Sequence, residues 1–126
     1  MNDVFAAALE LQDVCQGQGW EFCFIDGITL QRWGEVRFTD DADLTLITGF
    51  GDEAKFIDPL LHHFLPRRPD AREFALTHRV LLLKNSGGVP LDVALGEIAF
   101  EVRAVQRASA FPFPLGQSLR TCGLKI

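Results

Sequence analysis

Thr39-Asp40-Asp41-Ala42-Asp43-Leu44-Thr45-Leu46-Ile47-Thr48 is the stretch that decides the fold. Its carboxylates run straight into Leu, Thr and Ile, whose β-branched members favour a strand. Alternate side chains of an extended chain share a face, so Asp41 and Asp43 point the same way, about 6.6 Å apart along the strand. Leu44 and Leu46 then point the opposite way, into a core. Two carboxylates leaving the start of a buried strand together repel each other and lose hydration, which is costly without a positive charge between them. A hard divalent cation such as Mg²⁺ takes oxygen ligands and meets that need. The plain alternative is a solvated acidic turn before an ordinary strand.

A second anomaly lies downstream. Arg79–Lys84 predicts a strand, Asn85-Ser86-Gly87-Gly88 a turn, and Val89–Leu95 the returning strand. In the returning strand Leu91, Val93 and Leu95 share one face, which leaves Asp92 on the other with Ala94. A lone carboxylate amid aliphatic residues in an inner strand is rare without a partner. If the two acidic strands are neighbours, about 4.8 Å separates them, and Asp41, Asp43 and Asp92 converge. Three acids so placed can hold one or two Mg²⁺ ions, which would screen a triphosphate and activate a hydroxyl for in-line displacement at phosphorus.

The other segments supply helices and further strands. Residues 3–16 predict a helix from Val4, Ala8, Leu11 and Cys15 at helical spacing, closed by Gly17 and Gly19. Glu21–Asp26 predicts a short buried strand around Phe22, Cys23, Phe24 and Ile25. Gly27 breaks it, and Ile28–Trp33 predicts a short helix whose first amides are free anion donors. Asp52 can cap a helix from Glu53 to about Phe64, with Phe56, Leu60, Leu61 and Phe64 inward and Pro59 as a potential kink. Pro66–Asp70 reads as a loop with Arg67 and Arg68 solvated, a phosphate contact from either being the alternative. Ala71–Thr77 fits helix or strand. Residues 97–109 predict a helix with Ile98, Val102 and Val105 inward. The tail Phe111–Gly116, with two prolines, predicts extended chain.

Composition sets the class. The chain has 126 residues, 48% hydrophobic and 23% charged, the profile of a single globular domain with one core. Its net charge of −5 argues against sequence-blind nucleic-acid binding, which needs a positive surface, but not against a nucleotide delivered with magnesium. No apolar run approaches a membrane span and the N-terminus has no signal-peptide layout, so the expectation is a cytoplasmic protein. Cys15, Cys23 and Cys122 are odd in number and unpaired by spacing, which predicts reduced, buried thiols. The histidines, His62, His63 and His78, show no metal-binding spacing.

Three stretches together resemble the nucleotidyltransferase superfamily typified by DNA polymerase β and the minimal bacterial nucleotidyltransferases. They are Phe24-Ile25-Asp26-Gly27-Ile28, Thr39-Asp40-Asp41-Ala42-Asp43-Leu44 and Leu91-Asp92-Val93-Ala94. With Gln31-Arg32-Trp33-Gly34 and Thr39, the closer likeness is to the branch containing AbiEii-type enzymes of toxin–antitoxin systems. It covers about residues 20–109 of one domain spanning residues 1–126. The resemblance implies an α/β (α+β) fold, a mixed sheet flanked by helices, and transfer of a nucleoside monophosphate from a nucleoside triphosphate to a hydroxyl acceptor. It further implies that Asp41 and Asp43 ligate Mg²⁺ or Mn²⁺, with Asp92 as third ligand or base. Gly27, with Ile28 and Thr29, would line the triphosphate, and Arg32 and Arg37 would contact phosphate.

Two departures from the family pattern bear on activity. Asp26 stands where the family has the first glycine of its pair, and a carboxylate there turns away from the phosphates or repels them. Relatives also continue with helices after the segment resembling Ser118–Cys122. A second reading follows, a non-catalytic binding or antitoxin-like module, dimeric through an exposed Phe-rich tail.

Overall fold

The computed structural model describes residues 3–25, 28, 40–97, 99–113 and 118–122. Helices α1 (Asp3–Gln18), α2 (Ala54–His63), α3 (Ala71–His78) and α4 (Ala99–Gln106) surround a mixed sheet. Its strands are β1 (Phe22–Ile25), β2 (Ala42–Ile47), β3 (Leu65–Pro66), β4 (Val80–Lys84), β5 (Pro90–Gly96), β6 (Ser109–Pro112) and β7 (Ser118–Thr121). Their spatial order is β3-β4-β5-β2-β1-β7-β6, so the acidic strand β2 lies at the centre. β2 runs antiparallel to β1 and parallel to β5, and β1 runs parallel to β7. The expected α/β architecture with a mixed sheet is therefore the observed one.

The period of two along each strand sorts side chains onto two faces. On one, Phe22, Phe24, Ala42, Leu44, Leu46, Leu81, Leu83, Leu91, Val93 and Leu95 are buried against α1, α2 and α3. Val4, Ala8, Leu11 and Cys15 of α1 all enter this core, as their helical spacing predicts. The opposite face carries a smaller cluster, in which Ala104, Val105 and Ala108, from α4 and the turn after it, close over Cys23 and Cys122, with Ile25 and Ile47 beside them. All three cysteines are buried, and none is in a disulfide.

Local chemistry explains most boundaries. Asn85 holds the β4–β5 turn, its Oδ1 accepting from Gly87 N at 3.0 Å and Val89 N at 2.9 Å. Its amide then donates to Glu10 of α1 at 2.8 Å, which pins the turn to the helix. The side chain of Gln12 does the same for β7, donating to Ser118 O at 2.9 Å and accepting from Arg120 N at 2.7 Å. α2 runs unbroken through Pro59. The ambiguous segment after Asp70 is the helix α3, which ends at Arg79 in the left-handed conformation, φ 61°.

The structure corrects three expectations. The helix predicted over 97–109 is assigned over Ala99–Gln106, and Val102 is only half buried; Ile98 lies outside the described residues. The Phe-rich tail is not an exposed surface: Phe113 is buried against Phe5 with ring centroids 5.3 Å apart, and Phe111 packs edge-on against Phe113. Apolar content that was expected to mediate dimerisation is spent on this chain's own core. The loop assigned to Pro66–Asp70 opens with a strand, because Leu65 and Pro66 pair with Lys84 and Leu83. The helix predicted over Ile28–Trp33 lies almost wholly outside the described residues.

Candidate functional site

The acids are assembled by register. Asp43 of β2 is the direct partner of Asp92 on β5, as Ala42 is of Leu91 and Leu44 of Val93. Partners in a parallel pair project to the same face, and because Leu44 and Val93 enter the core, Asp43 and Asp92 project away from it. Asp41 precedes β2 by one residue and keeps the same parity. One oxygen from each of Asp41, Asp43 and Asp92 lies within 4.8 Å of the other two. All three residues are half buried. Farther along the same face, Ile47 and Gly96 lie against α4 and Glu101.

The row does not stop at Asp92. Asp92 pairs with Leu82 of β4, and Leu82 O accepts the backbone N–H of Arg67, which follows β3, at 3.0 Å. Ile25, Asp43, Asp92, Leu82 and Arg67 thus form one line across five strands' worth of sheet. At its end the Arg67 guanidinium reaches back and donates to Asp92 Oδ1 as an ion pair. This corrects the expectation that Arg67 is merely solvated. Arg68, expected to be solvated too, pairs with Asp70 and lies over the Phe74 ring at 4.0 Å. Asp41 and Asp43 also make interactions within the fold.

The donor set is chemically selective. Three carboxylate oxygens and no sulfur or imidazole suit a hard cation, and among the described residues this is the cluster whose geometry could hold one. Around octahedral Mg²⁺, with oxygens ~2.1 Å from the ion, no two ligands are more than about 4.2 Å apart. The 4.8 Å span exceeds that by about 0.6 Å at most, within reach of a small rotamer change. It also suits two ions ~3.5–4 Å apart. The residues present could therefore hold a divalent metal ion.

The remaining expected site residues separate into two groups. Ile28 is described and is buried in the main core, so its side chain does not line a ligand site. Gly27, Thr29, Arg32 and Arg37 lie outside the described residues, as does Asp26. The residue that sequence reasoning missed is Arg67 as a partner of the acids. Its only local signal was a basic pair in a proline-flanked loop, and the contact depends on strand pairing that the loop itself does not encode. No protein-family model matches this chain, and no curated protein matches it significantly. Among the described residues, no helix is long and apolar enough to cross a membrane.

Proposed function

We propose that this protein is a metal-dependent nucleotidyltransferase that moves a nucleoside monophosphate from a nucleoside triphosphate to a hydroxyl acceptor. The observation that carries the reading is the in-register meeting of Asp43 with Asp92, with Asp41 beside them, on the sheet face opposite the main core. In the reaction a bond forms between the acceptor oxygen and the α-phosphorus while the bridging bond to the β-phosphate breaks. Pyrophosphate leaves with the electron pair, and the hydroxyl proton passes to Asp92 or to solvent. Bound Mg²⁺ would screen the phosphates and lower the pKa of the attacking hydroxyl. The chain's own contribution is to hold the three carboxylates together, two on the central strands β2 and β5 and the third just before β2.

The ion pair between Arg67 and Asp92 favours a second reading, in which the protein is a non-catalytic member of the same fold. There the guanidinium permanently supplies the positive charge that the acids require. Thermal melting with Mg²⁺ and each nucleoside triphosphate in turn separates the two. A nucleotide at a hundred times its dissociation constant stabilises the fold by ~2.7 kcal/mol. Asp41→Asn combined with Asp43→Asn removes that shift if the first reading holds. Absence of a shift with every nucleotide selects the second.

A further inference from the structure

The Arg67 guanidinium is out of place for a residue with a purely structural role. It stands at the edge of the sheet, after a strand of two residues, and its side chain is 27% exposed. It makes one contact to one oxygen of Asp92, not the bidentate fork that arginine forms in a locked pair. The neighbouring Arg68 and Arg72 do form forks, each giving two nitrogens to both oxygens of its partner, Asp70 and Asp58. Arg67 alone among these three makes a single-point contact, and it is the one that touches the acid cluster.

Charge determines what this contact does. Three carboxylates with one guanidinium leave the site less negative than the acids alone, and a cation arriving among them meets a fixed positive charge on Asp92. A bare divalent ion is thus opposed by Arg67. A divalent ion that brings a polyphosphate is not, because the phosphate oxygens offer the guanidinium a better acceptor than the single carboxylate oxygen it gives up. Resting on the nucleotidyltransferase reading, we propose that Arg67 is the polyphosphate-binding residue that couples metal occupancy to substrate: it holds Asp92 in the metal-free site and transfers to phosphate oxygens when a metal–nucleotide complex enters. The exposure of the side chain and the short strand before it permit that movement, while Asp92 stays fixed in β5.

Such coupling gives two effects of opposite sign in one variant, which a structural role does not. Arg67→Gln is expected to bind Mn²⁺ alone more tightly than the wild type, by about fivefold or more. The same variant is expected to bind a non-hydrolysable nucleoside triphosphate in saturating Mn²⁺ more weakly, by a similar factor. Both are read by titration calorimetry on the full chain, with Arg67→Lys as a second variant that keeps the charge and so keeps weak binding of Mn²⁺ alone. If the wild type binds Mn²⁺ and Arg67→Gln changes neither affinity, or moves both in one direction, the role of Arg67 is overturned and the proposed function stands. If neither the wild type nor Arg67→Gln binds Mn²⁺, with or without the nucleotide, both are overturned. Binding by Arg67→Gln alone supports the coupling in its strongest form.

Discussion

Asp43 and Asp92 are in-register partners on neighbouring parallel strands, and both project from the face of the sheet that the main core does not use. Each alternates with neighbours that enter that core, Asp43 with Ala42 and Leu44 and Asp92 with Leu91 and Val93. Ala94, two residues beyond Asp92 on the same face, shows that a small apolar side chain is accommodated there.

A divalent cation at ten times its dissociation constant should raise stability by ~1.4 kcal/mol, and a chelator should reverse the gain. In Asp43→Asn and in Asp92→Asn the melting temperature should no longer respond to the cation, while Asp13→Asn, an exposed acid on α1, should respond as the wild type does. Calorimetric melting with and without chelator measures all four proteins.

Gly96 ends β5 where α4 closes on the sheet. A Cβ there would come 3.1 Å from Thr45 Cγ2 and 3.3 Å from the Glu101 carboxyl carbon. Neither can retreat freely, because Thr45 is buried and Glu101 accepts the Glu97 N–H at 2.9 Å. Gly96→Ala should destabilise the fold by roughly 1–3 kcal/mol through overpacking, seen as a lower urea midpoint with an unchanged slope.

Burial pushes the Cys15 thiol up to about 12, and burial with the adjacent Cys122 does the same for Cys23, also to about 12. In the unfolded chain a thiol releases its proton near 9.0, so between there and about 12 the folded state holds more protons than the unfolded state. Stability should be unaffected by these thiols below about pH 8.5 and should fall as pH rises through the window above it. The chain has no tyrosine to blur the effect. Melting curves at rising pH should show the decline, and Cys15→Ala should make it shallower, leaving the part due to Cys23. At neutral pH a thiol reagent should leave the folded protein unmodified and label it after denaturation.

Much of the candidate site was legible locally. Asp92 stands out because Leu91, Val93 and Leu95 alternate so regularly that the residue between them must face away from the core. Asp41 and Asp43 stand out for the same reason beside Leu44 and Leu46. What local sequence does not carry is pairing across long separations. β3 has two residues, and β7 lies beside β1 although most of the chain separates them, so neither has a periodicity to read. Arg67 went unrecognised with β3. α3 was ambiguous because only Ala71 and Ala75 of its residues are buried, too faint a stripe to establish a helical period.

The grip of Gln12 on Ser118 and Arg120 has a consequence for how the molecule comes into being. During synthesis β1 leaves the ribosome early, but the parallel strand that seals its flank, and that Gln12 fastens to α1, is made almost a whole chain later. The nascent protein therefore waits with that flank unpaired, and the sheet carrying the acids is closed on this side only after Thr121 has emerged.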